Sequence, residues 1–98
     1  MMNKSNAVFL GRTMKDTLKR AKITRIDKNN YEDVFKVIDA EVQFIYKKNI
    51  PLEKKLILTE PLIKNIMKIS GYLDNNDISH IEYDEETNDW YYVLKGDN

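Results

Sequence analysis

Apolar and polar residues alternate along this chain with two different periods. The clearest segment is Tyr31–Asn49, "YEDVFKVIDAEVQFIYKKN". Tyr31, Val34, Phe35, Ile38, Val42 and Ile45 recur at i, i+3, i+4 and i+7, which is one face of a helix. Asn30 stands at the N-cap. Glu32 and Asp33 occupy the first turn, and Lys47 and Lys48 the last, matching the helix dipole. Val37 and Phe44, seven apart, add a second apolar line and predict a helix packed from two sides. Asn49-Ile50-Pro51 ends it.

Three further helical or extended segments flank it. Thr13–Ala21 predicts a helix with Thr13 as cap, Asp16 at capping-box spacing, and Met14, Leu18 and Ala21 inward. Extension back through Val8 and Phe9 is opposed by Gly11. "KITRI", Lys22–Ile26, alternates as a short strand does. Leu56-Ile57-Leu58 is too short to assign by period. Thr59 then reads as a cap with Glu60 and Pro61 in the first turn, opening a helix whose inner face is Leu62, Ile63, Ile66, Met67 and Ile69. Gly71 stands where a terminating glycine belongs.

The period changes to two in "HIEYDEETNDWYYVLK", His80–Lys95, a β-hairpin turning within Glu85–Asp89. Ile81 and Tyr83 share one face of its first arm. In the second arm Trp90, Tyr92 and Leu94 alternate with Tyr91 and Val93, so both faces are apolar or aromatic. Either the strand is buried on both sides or one aromatic face is offered to a partner. An isolated hairpin is marginal in water, so this one packs on the helices. The expected fold is α+β: about three helices with a C-terminal antiparallel hairpin over 78–95 and a third short strand. Residues 1–6 read as a loose start.

Length and composition bound the rest. Ninety-eight residues suit one small domain, and 42% hydrophobic residues supply its core. The absence of cysteine removes disulfides and thiolate chemistry and suits a reducing cytoplasm. No apolar run approaches a membrane span. Richness in Lys, Asn and Ile suits an AT-rich genome, such as that of a low-GC bacterium, a phage or a mobile element.

The zero net charge conceals a polarity. Residues 1–30 carry eight cations against two acids, a net +6; residues 71–98 carry one against eight, a net −7. The two ends attract each other or face different partners.

Catalytic constellations are not evident. One histidine and no cysteine are present. His80 has no serine in a nucleophile-elbow context. His80, Glu82 and Asp84 alternate on one hairpin face without family-type metal spacing and read as a solvated polar face. "DNNDISHIEYDE" opens like a calcium loop but has Ile78 and Ser79 where an oxygen ligand and a glycine belong. No metal or cofactor is expected.

Three binding readings follow. The first is a non-enzymatic regulator or inhibitor that binds a protein with a basic surface. Its contact is the acidic, aromatic hairpin: Asp84, Glu85, Glu86, Asp89, Trp90, Tyr91 and Tyr92. The second takes the outline of three helices and a hairpin as that of a small winged-helix DNA binder. There Lys64, Asn65 and Lys68 lie on the outer face of the 59–70 helix, and Arg12, Lys15, Lys19 and Arg20 hold phosphates. An acidic wing argues against it. The third is a homodimer through the second hairpin strand as a sheet edge, blunted at one end by residues 95–98.

Overall fold

The computed structural model describes residues 4–96. A 3-10 turn over Lys4–Asn6 leads into β1 (Ala7–Val8), α1 (Arg12–Arg20), β2 (Arg25–Ile26), α2 (Tyr31–Tyr46), α3 (Leu52–Asp74), β3 (Ile78–Asp84) and β4 (Asp89–Leu94). The fold is α+β, with three helices and a four-stranded antiparallel sheet in the order β1-β4-β3-β2. The C-terminal strands form the expected hairpin. The loose start expected over 1–6 lies partly outside the described residues, while residues 4–6 turn directly into the sheet.

The register places the core. Val8 and Tyr83 both stand opposite Trp90, and Ile26 and Tyr92 both stand opposite Ile81. These residues share one face of the sheet. They close over Met14 and Leu18 of α1, Val34 and Ile38 of α2, and Leu62, Ile66, Ile69 and Leu73 of α3. α3 lies in the middle, packed against α2, α1 and β3.

The loop before α2 is knitted by side chains. The Asp27 carboxylate accepts the amides of Asn29 and Asn30 at 2.9 and 3.0 Å, and the Asn30 side chain ties the Asp27 amide to the Arg25 carbonyl. Burial pushes the Asp27 carboxyl up. The hydrogen bonds from Asn30, Asn29 and Arg25 and the Arg25 charge outweigh it, and the group lies below its ordinary range. Asn30 holds the N-cap position, but its side chain serves the loop and makes no cap bond.

Several local expectations are corrected. Val8 and Phe9 do not extend α1, because Val8 pairs in the sheet opposite Trp90. Gly11, rather than Thr13, is the N-cap of α1. Val37 and Phe44 do not give α2 a second packed side: Phe44 is 59% exposed, and the Lys48 ammonium lies 5.0 Å from its ring centre. Thr59 is not a cap and Gly71 is not a terminator. Both lie inside α3, which absorbs Leu56–Leu58 and runs through Pro61. Thr59 is buried, and its hydroxyl donates to the Lys55 carbonyl at 2.8 Å. The core positions Leu62, Ile66, Ile69 and Leu73 keep one unbroken helical period through the expected stop at Gly71.

β4 is interior to the sheet at Trp90 and Tyr91, where β1 covers its outer side, while β1 does not reach residues 92–94. The outer strands are β1 and β2, two residues each. Short edges of this kind give little template for pairing with another chain. The blunting assigned to Asp97 and Asn98 lies outside the described residues.

Candidate interaction surface

The turn between β3 and β4 is held from several directions. The Asn88 amide donates to the Asp84 carbonyl at 2.9 Å, and the Glu86 amide to Asp84 Oδ1 at 3.0 Å. The Tyr83 hydroxyl donates to Asn88 Oδ1 at 2.7 Å, and the Tyr91 hydroxyl to Thr87 at 3.0 Å. Asn88 has φ 57°, a left-handed conformation that its short polar side chain tolerates. Such bracing fixes the direction of the residues at the tip before any partner arrives.

The four acids of this turn have different surroundings. Lys15 on α1 reaches the Asp89 carboxylate at 3.4 Å and the Asn88 carbonyl at 3.5 Å. The basic N-terminal segment and the acidic C-terminal one therefore do meet. Asp84 Oδ1 is used within the turn, while its Oδ2 is enclosed without a hydrogen-bond partner among the described residues. Glu85 and Glu86 are exposed, and among the described residues no cation pairs with either.

The aromatic arms are packing residues. Trp90 is 2% and Tyr91 3% exposed. Trp90 faces the helices, its ring 5.7 Å from that of Tyr83. Tyr91 points to the opposite face of the sheet and is buried there, as is His80. Tyr92 is half-buried and stacks on Tyr72 at 5.4 Å. The strand is thus buried on both sides at its first aromatic pair, and of the seven hairpin residues singled out Glu85 and Glu86 are the exposed ones.

Between α1 and this turn lies a cleft of about 680 Å³. Its apolar lining is Leu10, Ile23, Tyr83 and Trp90. Arg12, Lys15, Lys19 and Lys22 contribute cations, and Asp16 and Glu85 contribute acids. Of the α1 cations, Lys15 binds Asp89 and Arg20 binds Glu41 at 3.5 Å. Arg12, Lys19 and Lys22 are exposed without an ion pair among the described residues. Charge segregation along the sequence announces that the two ends attract. The cleft itself depends on the loop after α1, where Lys22 has φ 59°.

Of the residues considered for reading bases on α3, Lys64 and Lys68 are exposed as expected, whereas Asn65 is buried. Asn65 does not lie on the outer face: it is 8% exposed and accepts the Gly11 amide at 2.7 Å. That bond ties the segment before α1 to α3. Lys68 donates to the Phe9 carbonyl at 2.7 Å, and Lys64 pairs with Glu60 at 2.8 Å. Replacing Asn65 with alanine is expected to cost about 1–3 kcal/mol, because a buried amide loses its partner. A thermal melt followed by circular dichroism measures it; an unchanged melting temperature would remove the proposed structural role.

His80 bonds Ser79 through Nδ1 at 2.9 Å, and its Nε2 lies 3.7 Å from Glu82. Among the described residues no three His, Asp or Glu side chains gather as a metal site, and no helix is long and apolar enough to cross a membrane. Comparison with protein-family models, with curated proteins and with solved structures returns no match.

Proposed function

We propose that this chain is a non-enzymatic regulator that works by binding another protein, with Glu85 and Glu86 meeting a basic surface of that partner. The observation carrying this reading is the braced turn on which Glu85 and Glu86 are exposed, while the neighbouring Asp89 is paired with Lys15. Preorganised exposed charge speeds encounter with an oppositely charged surface and suppresses wrong partners. The lack of cysteine suits work in a reducing cytoplasm.

A nucleic-acid reading retains the exposed cations Arg12 and Lys19 on α1 and Lys22 just after it, with Lys64 and Lys68 exposed on α3. It is the weaker of the two. A phosphate chain in the α1 cleft would pass Asp16 and Glu85, which repel it.

The test is capture from nuclease-treated lysate by wild type and by a Glu85→Lys/Glu86→Lys variant, at low and high salt. The variant is expected to stay within about 0.5 kcal/mol of wild-type stability, since both positions are exposed. Capture of a specific protein is expected to fall at least about tenfold. Capture that needs nucleic acid and survives the reversal, yet is lost in Arg12→Glu/Lys19→Glu, would replace the first reading with the second.

A further inference from the structure

α3 carries an apolar stripe that the protein's own core does not cover. Leu52, Leu56, Ile63 and Met67 are 64%, 48%, 44% and 67% exposed. At 100° per residue they fall within about 60° of arc, so they form one line roughly 22 Å long on the helix. The buried positions Leu62, Ile66, Ile69 and Leu73 define the neighbouring face. The stripe is therefore additional to the face that folds the chain. Single exposed apolar residues need no explanation, but an aligned row does.

The spacing of the row identifies its occupant. The intervals are four, seven and four residues, which read the same from either end. The centre of symmetry is the bond between Thr59 and Glu60. A partner with arbitrary sequence makes no such demand, whereas a second copy of the same helix running antiparallel does. With a two-fold axis at that centre, Leu52 faces Met67 of the copy and Leu56 faces Ile63 of the copy. A two-fold interface requires each patch to be complementary to itself in this way. The charges flanking the stripe agree. Glu53 and Lys64, both exposed, lie on one side of the row. In the antiparallel arrangement, Glu53 of each copy comes beside Lys64 of the other. Glu60 approaches its own copy near the axis, but each Glu60 is already held by Lys64 of the same helix at 2.8 Å.

We propose that the protein self-associates into an antiparallel dimer through this stripe, with the two-fold axis at Thr59–Glu60. One helix pair of this length buries less than the roughly 800 Å² per partner of a standard interface. The dimer is accordingly expected in the micromolar range of dissociation constant. Unlike a dimer through β4, this one leaves the sheet and the acidic turn free, so it is independent of the binding function proposed above.

The native chain lacks cysteine, so single cysteines report the geometry cleanly. A short bis-maleimide is expected to link Glu60→Cys to its own copy, because this position lies beside the axis. Leu52→Cys alone is expected not to link, whereas a mixture of Leu52→Cys and Met67→Cys gives a mixed dimer. In sedimentation equilibrium, wild type is expected to show a monomer–dimer equilibrium that Leu56→Glu weakens at least about 30-fold. Leu56 is half-exposed in the monomer, and circular dichroism verifies that the variant folds. A wild type that stays monomeric up to about 1 mM would overturn the proposal. So would self-linking of Leu52→Cys as fast as Glu60→Cys, or a dimer indifferent to Leu56→Glu.

Discussion

Trp90→Ala is expected to cost about 3–5 kcal/mol of stability, the range for removing a large buried aromatic side chain. A domain of this size has about 5–15 kcal/mol in total, so the variant should melt at least about 12 °C lower and be partly unfolded at the low end of that range. The reason is position. Trp90 is 2% exposed and stands opposite both Val8 and Tyr83, so it joins β1 to the hairpin and the hairpin to the helices. Loss of the indole opens a cavity at the junction of three strands. It also removes part of the floor of the α1 cleft. Chemical denaturation at several concentrations gives the free energy directly, and circular dichroism gives the midpoint. If the variant keeps wild-type stability within about 0.5 kcal/mol while losing a binding partner, Trp90 belongs to an interface and its placement in the core is wrong.

The Trp90 question shows where residue patterns stop being informative. Alternation identifies β3 and β4 and the turn between them. It cannot say which side is covered when Trp90, Tyr91, Tyr92 and Val93 are all apolar in succession. Only the register, with Val8, Ile26 and the helices on one side, decides that Trp90 faces the helices. β1 is illegible for a related reason. Two residues have no period, and Ala7–Val8 becomes a strand because β4 offers it a row of backbone partners. α2 is legible because a 16-residue helix repeats its period four times over. Its second line, Val37 and Phe44, misleads because spacing does not distinguish a half-buried Val37 and an exposed Phe44 from a packed pair.

The candidate site was legible in charge and illegible in geometry. The basic first third and the acidic last quarter do come together at Lys15 and Asp89. That contact sets Asp89, paired with Lys15, apart from the exposed Glu85 and Glu86, which composition alone cannot do. Asn65 has a physical lesson of its own. An amide flanked by lysines on a helix resembles a base-reading residue, yet here it satisfies the backbone of Gly11. Buried amides of loop segments need acceptors, and a helix one layer away can supply them. The signal available in the sequence was the helical phase itself: Asn65 lies between Leu62 and Ile69, both fully buried.

Pro61→Ala is expected to stabilise the protein by about 1–3 kcal/mol and to raise its melting temperature by at least about 4 °C. Proline in a helix interior is about 3 kcal/mol less favourable than alanine. It has no amide hydrogen for the carbonyl four residues back, here Ile57, and its ring crowds that carbonyl. The local sequence suggests that α3 should begin at Thr59, with proline in the permissive first turn. The helix instead begins at Leu52, which places Pro61 in its tenth position. It continues because Thr59 and Leu62, on either side of the proline, are locked in the core, and the Lys55 side chain donates to the Tyr46 carbonyl at the end of α2. Pro61 itself is exposed, so alanine leaves no cavity. The gain is smaller than the full propensity difference, because proline also restricts the unfolded chain. Hydrogen exchange offers a second reading of the same effect: amides of residues 53–60 should exchange more slowly in the variant, since the first two turns of α3 are then bonded continuously to the rest. If Pro61→Ala destabilises instead, the ring sets the direction in which Leu52–Leu58 leaves the core, and the cost of the missing hydrogen bond is offset by that packing.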